Sequence, residues 1–373
     1  MIRKSTIIIL LLWSLPALVS GSVAADSDNP RVEHAIIIAI DGLRSDALMA
    51  SPRDLPNFRR LMDEGASTLN ARTDPDITVT LPNHLGMVTG RLMRGDEGHH
   101  WELNELTDGG PQILHDEHGQ YIQSIFDVAH DHGLRVAIIA GKTKLHLLQN
   151  SWGEERGLED VIGDDNGRTK IDTYTYEESI GAVASKIIET LAQPGKRNVI
   201  FACYRHPDAA GHAEGWDLTE NSLFMRALVE VDRELGRILD AIESDIRLRG
   251  KVAIIITADH GGGAPFKSHN QQHMWVNYII PFIVWTGTPG VSTGSRDLYT
   301  LNPATRRDPG LHQPPHDLTA DTLPPIRNSD AANLALDLLG LPPVAGSTVN
   351  RSQDLLIVDN AGAEPAAASD GQK

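Results

Sequence analysis

Ile36, Ile37, Ile38, Ala39 and Ile40 form an unbroken apolar run that leads directly into Asp41-Gly42. A strand with one wet face alternates apolar and polar residues, so a run apolar at every position needs cover on both faces. Strands of that kind lie inside parallel sheets. Asp41 then falls at the carboxyl end of the strand, where open α/β sheets bind their ligands. Many buried strands also end in Asp at a turn, so its meaning depends on what the other strand ends supply.

Further strands are expected over 67–71, 136–140, 198–204, 252–257 and 278–285, the last with Pro281 near an edge or bend. Helical spacing predicts helices over 55–64, 121–132, 177–191, 219–243 and 330–339, and one that begins near Pro82, since proline is tolerated in a first turn. Residues 91–119 lack periodicity and read as a surface excursion, and 286–328 read as Pro-rich and irregular. Alternating strands and helices predict an α/β fold, a doubly wound and mostly parallel sheet flanked by helices. No repeat or linker divides it, so one domain is expected over 26–360.

The two ends read differently. Residues 1–25 combine a basic start (Arg3, Lys4), an apolar stretch over 7–18 and the small residues Gly21-Ser22-Val23-Ala24-Ala25. This is a signal peptide pattern, and the apolar stretch is too short to favour a membrane span. The expected location is periplasmic or secreted, with no membrane span in the mature chain. Residues 361–373 read as a disordered tail. Cys203 is the only cysteine, so no intrachain disulfide can form and it is expected to pack as a small hydrophobe. The formal charge is −17, and removing Arg3 and Lys4 with the leader makes it more negative. Such a surface argues against nucleic acid as the main partner. It also means that any site for an anionic substrate must bring its own positive charge.

Three strand ends carry metal-type ligands. They are Asp41, then Asp208 with His212 four residues on, then Asp259-His260 with His269 and His273 beyond. Asp208 and His212 share a face if their segment turns helically. Asp259 and His260 can reach one ion only if the strand has ended, and Gly261-Gly262-Gly263 permits such a bend. Taken singly, Asp208–His212 reads more readily as a capped turn with an exposed histidine, and Asp259-His260 equally as a tight turn. Together, at one sheet edge, they point to a metal centre. Mixed carboxylates and imidazoles suit two divalent ions, Zn²⁺ first with Mn²⁺ or Fe as alternatives, and disfavour Ca²⁺. Two such ions against three Asp leave a net charge of about +1, suited to a phosphoryl group. Thr78 and Thr80 are the candidate nucleophiles, and helix capping is the rival role for Thr80.

The motifs Ile40-Asp41-Gly42-Leu43-Arg44, Thr80-Leu81-Pro82-Asn83-His84, Pro207-Asp208-Ala209-Ala210-Gly211-His212 and Thr257-Ala258-Asp259-His260-Gly261 together resemble the alkaline phosphatase superfamily. The resemblance is to its threonine-nucleophile branch of type I phosphodiesterases and nucleotide pyrophosphatases, and it spans about 33–354. It implies that Asp41, Thr80, Asp259 and His260 hold one metal and that Asp208, His212 and a third histidine hold the other. That third ligand is His269, eight residues before Asn277, with His273 as the alternative. Thr80 would attack phosphorus and form a phospho-threonine that water hydrolyses. Asn104 resembles the asparagine that donates to a phosphoryl oxygen. Lys142 and Lys144 resemble the substrate-binding Lys-x-Lys pair of phosphonoacetate hydrolases.

The Thr80–His84 stretch lacks the Cys or Ser and the Arg of sulfatases, and no arginine flanks the nucleophile as in monoesterases. The expected substrate is therefore a small phosphate ester, a phosphodiester or nucleotide pyrophosphate rather than a monoester. A phosphonoacetate-type C–P hydrolase and an inactive metal-binding relative are the alternative readings.

Overall fold

In the computed structural model of the protein, the Ile36–Ile40 run lies within strand β1 (His34–Ile40), buried along its whole length. The residues described are 32–50, 55–107, 111–153, 156–159, 167–287, 295–310 and 323–358; the leader 1–25 and the tail 361–373 lie outside them. Each buried isoleucine contributes about 1.5–3 kcal/mol relative to an exposed one, so this strand is anchored by composition alone.

Seven further strands complete one sheet: β2 (Ala66–Arg72), β3 (Arg135–Ala140), β4 (Thr173–Tyr176), β5 (Asn198–Tyr204), β6 (Val252–Thr257), β7 (Ile279–Trp285) and β8 (Arg296–Asp297). Their order is β4-β3-β5-β1-β6-β7-β2-β8. β1 lies between β5 and β6 and is parallel to both. Among the described strands β7 alone runs against the rest, antiparallel to β6 and β2. Pro281 therefore sits on an interior strand, not at an edge. It falls where the β2–β7 register shifts between Thr68 and Ala71, an irregularity that removes the need for its missing N–H.

Helices Pro56–Glu64, Ile180–Ala192 and Leu223–Ser244 pack together in one layer against the sheet, and helices Thr80–Thr89, Ile125–Asp131 and Asp330–Leu338 form the other. The doubly wound arrangement follows from this. The first layer is tied by Asp232, whose carboxylate accepts the backbone N–H groups of Asn57 and Phe58 at 3.0 and 2.8 Å. Leu55 cannot cap that helix with its own side chain, so a neighbouring helix supplies the acceptor.

Three expected helices begin three or four residues late, and serines explain it. Ser124, Ser179 and Ser222 each accept a backbone N–H at the true start, so the residues before them are lead-in chain. The 91–119 segment departs from a surface excursion: Met93, His99, Trp101, Ile113 and Leu114 are buried. The 286–328 segment contains β8 and a short helix, Leu298–Leu301. Cys203 is buried within β5. No helix among the described residues is long and apolar enough to cross a membrane.

Candidate active site

The register brings the ligands together. Ile40 pairs with Tyr204 and Ala39 with Thr257, so β1, β5 and β6 end side by side and hand the chain to Asp41, Asp208 and Asp259 at one edge. Gly42 is required at the first of these turns. Its φ is +72°, and a Cβ there would come within 3.0 Å of the Asp208 Cα. Its N–H donates to Asp259 Oδ1 at 3.1 Å. β6 ends at Thr257, so Asp259 and His260 lie past the strand and both turn inward. A helix, His206–Glu214, follows β5 with Pro207 in its first turn and sets Asp208 and His212 on one face.

These side chains form two of the groups among the described residues that could hold a metal ion. The ligand atoms of Asp41, Asp259 and His260 lie within 4.8 Å of one another, and so do those of Asp208, His212 and His269. His260 Nε2 is 3.2 Å from Asp259 Oδ2 and 3.6 Å from Asp41 Oδ1. His212 Nε2 is 3.3 Å and His269 Nε2 3.7 Å from Asp208 Oδ1. His269 is buried within its group, whereas His273 is exposed.

The donor set fits cations on two observations. Asp41 Oδ1, Asp208 Oδ1 and Asp259 Oδ2 are buried and accept no hydrogen bond, a pattern that calls for positive charge. Each histidine also donates its Nδ1–H to a backbone carbonyl: His212 to Lys267 at 2.9 Å, His260 to Gly261 at 2.8 Å and His269 to Thr78 at 2.6 Å. That arrangement leaves every Nε2 lone pair facing the carboxylates, as metal-binding histidines require.

Thr80 is the first residue of helix Thr80–Thr89, and the cap position belongs to Val79, with no side-chain cap bond. Thr80 Oγ1 lies 3.5 Å from His260 Nε2 and accepts from Lys142 Nζ at 3.3 Å. Thr78 is engaged elsewhere, its hydroxyl donating to the His269 carbonyl at 2.5 Å.

Lys142 follows β3, and its ammonium lies 2.6 Å from both Asp41 Oδ2 and Asp208 Oδ2. Lys144 does not reach the ligand groups; it pairs with Glu105. Asn104 Oδ1 accepts the Leu81 N–H at 3.1 Å, which places the asparagine beside Thr80 with its amide NH₂ left to donate.

Charge within the site is unevenly shared. Burial, then the neighbouring Asp208 and Asp259, push the Asp41 carboxyl well above its usual range. Burial acts the same way on Asp208, but Lys142, His260 and His269 outweigh it and hold that carboxyl low. Lys142 itself stays protonated, because Asp41, Asp208 and Asp259 overcome the cost of its burial. Burial, then His260, lowers His269 to about 3, so its imidazole is neutral at neutral pH.

Three supporting residues carry no signal that spacing reveals. His84 is fully buried and donates Nδ1–H to the Thr80 carbonyl at 2.9 Å. Asn83 holds the chain before Thr80 by donating to the Ile77 and Val79 carbonyls. Asn328 donates to Asn83 and to the Ala258 carbonyl, joining the segment before Thr80 to the end of β6 from 245 residues away. A separate cavity of about 910 Å³, lined by Pro56, His206, Ala209, Met225 and Val229, contains none of the candidate ligands.

The fold is shared, at low identity, with solved structures that include a member of the alkaline phosphatase superfamily. A superfamily protein from Vibrio parahaemolyticus superposes with a TM-score of 0.54 at 14% identity, covering 87% of this chain and 72% of its own. A mutant of the alkaline phosphatase PafA gives 0.58 at 11%, covering 88% and 99%. An inactive variant of the murine ectonucleotide pyrophosphatase/phosphodiesterase 5, in complex with AMP, gives 0.50 at 19%, covering 88% and 100%. The sequence is more specific than these likenesses of fold: residues 35–96 and 112–372 match the type I phosphodiesterase/nucleotide pyrophosphatase profile, and the chain belongs to that family. No curated protein sequence matches it.

Proposed function

We propose that the protein is an exported hydrolase of phosphodiesters and nucleotide pyrophosphates, with Thr80 as nucleophile and two divalent cations, Zn²⁺ foremost, as cofactors. The observation that carries this reading is the position of Thr80 Oγ1, within 3.5 Å of His260 and 3.3 Å of Lys142, at the junction of the two ligand groups. Family membership supports the ester class. AMP in the murine relative supports a nucleotide-type substrate. The leader pattern over 1–25 supports export.

Asp41, Thr80, Asp259 and His260 would hold one cation, and Asp208, His212 and His269 the other. Bound there, the cations would ease deprotonation of the hydroxyl and offset charge on the attacking and leaving oxygens. Thr80 Oγ1 attacks phosphorus in line; the bond to the leaving oxygen breaks as the new P–O bond forms. The Thr80 proton passes to solvent, and the leaving oxygen takes one up. Water then attacks the same phosphorus and breaks its bond to Thr80 Oγ1, which takes a proton from that water, so that the phosphomonoester is released and the hydroxyl restored. Asn104, its oxygen held by the Leu81 N–H, donates through its amide to a phosphoryl oxygen as charge develops there. Lys142 offers an ammonium to the same group. Lys144 is paired with Glu105, so the lysine pair gives the phosphonate reading no added support.

Thr80→Ala tests the assignment. The variant should retain its bound cations and lose hydrolysis of bis(p-nitrophenyl) phosphate by at least about 10³-fold. Full activity in that variant overturns it, and a parallel assay of monoesters, pyrophosphates and phosphonoacetate separates the substrate classes.

A further inference from the structure

Lys142 reaches into both ligand groups from the end of β3. Its Nζ lies 2.6 Å from one oxygen of Asp41 and 2.6 Å from one oxygen of Asp208, and it donates to Thr80 Oγ1. The preceding Gly141 makes this reach possible. A Cβ there would lie 2.3 Å from the Cys203 carbonyl oxygen, so only glycine lets β3 close on β5 and deliver the lysine to the strand ends. The ammonium thus holds one carboxylate from each group, together with the nucleophile's oxygen.

A divalent cation and an ammonium drawn to the same carboxylates repel each other strongly in a buried site. We infer that Lys142 is a tethered competitor for both cation sites: cations load only as its ammonium leaves Asp41 and Asp208. Its flexible four-carbon stem lets the head group move while the backbone stays fixed. An anionic phosphoryl group then has a matching role, because it draws the ammonium off the carboxylates. Cation and phosphate binding are therefore coupled, and by linkage each tightens the other. The inference rests on the two-metal reading above and adds that this chain sets its own cation affinity through Lys142.

The test is calorimetric titration of the EDTA-treated full-length protein with Mn²⁺ and with Zn²⁺, with and without inorganic phosphate. Lys142→Met should bind the cations about tenfold more tightly than wild type, within the usual range of such couplings. Lys142→Arg keeps the charge and should stay near wild-type affinity. Phosphate should tighten Mn²⁺ binding in wild type and do so less in Lys142→Met. Equal or weaker cation binding by Lys142→Met overturns the inference. If Lys142→Met does not fold, the wild-type titration decides, because cation affinity that is indifferent to phosphate also overturns it. A wild-type protein that binds two cations while Lys142→Met shows no tightening sinks only the competitor role. A wild-type protein that binds none sinks the two-metal reading as well.

Discussion

The rings of His260 and His269 stack face to face, with centroids 3.6 Å apart and planes 12° from parallel. His260 belongs to the group with Asp41 and Asp259, and His269 to the group with Asp208 and His212. The stack therefore sets the spacing between the two ligand groups. It also keeps both rings rigid, since each is held at Nδ1 by a backbone carbonyl.

That arrangement separates His269 from His273. His269→Ala should lower the bound metal from two ions to one and weaken the remaining ion, because His260 loses the ring it rests on. His273 is exposed, and His273→Ala should leave metal content unchanged. Metal analysis of the two purified variants decides, and loss of an ion from the His273 variant alone would reverse the assignment.

Two histidines away from the ligand groups predict how stability responds to acid. His34 Nδ1 accepts from Asn198 Nδ2 at 2.8 Å, and His99 Nδ1 accepts from the Trp101 N–H at 3.1 Å. Each lone pair is in use, so protonation breaks a bond. Burial is the main cause holding His34 at about 4 and His99 at about 3, below the ordinary 6.5. Between those values and 6.5 the unfolded chain binds protons that the folded chain does not, so stability rises with pH across that window. Asp127, raised to about 6 by burial, acts in the opposite direction between 3.8 and 6. Through His34 and His99, the thermal midpoint should fall as pH drops from 6.5 towards 4. His99→Gln should flatten that decline, and an identical pH profile in the variant would refute the account.

Arg306 holds a buried network around Asp330, the first residue of helix Asp330–Leu338. It reaches Asp330 at 3.0 Å, Asn350 at 3.1 Å and Asp354 at 2.8 Å, and Asp330 is fully buried. Arg306→Met removes the ion-pair partner of the buried Asp330 and leaves that carboxylate to the Arg327 backbone N–H and the nearby Arg327 charge, a loss of about 3 kcal/mol. Urea unfolding should show that loss with an unchanged slope. A change under about 1 kcal/mol would mean that the network is replaceable.

Much of the fold is legible along the chain because its strands are so apolar. β1, β5, β6 and β7 are buried at every residue, and a fully covered strand leaves an unmistakable run of Ile, Val and Phe. β4, Thr173–Tyr176, lies at the sheet edge with partly exposed residues and leaves no such mark. Helix starts were displaced because apolar spacing locates a helix's buried face, whereas a single serine decides where it begins. Thr80 shows the same limit, since Thr-Leu-Pro is equally compatible with a cap and with a first turn.

The sequence by itself determined the strand ends and the kinds of side chain they carry, because burial dictates composition locally and the motifs are contiguous. Only the tertiary structure decided how those ends meet. The parallel register of β1 with β5 and β6 puts Asp41, Asp208 and Asp259 at one edge, and the return loop stacks His269, not His273, on His260. The close packing of Gly141 on β5 carries Lys142 among the carboxylates of residues 101 and 66 positions away in the chain. Such contacts depend on register and on gaps that only the packed backbone defines, which no local pattern of residues records.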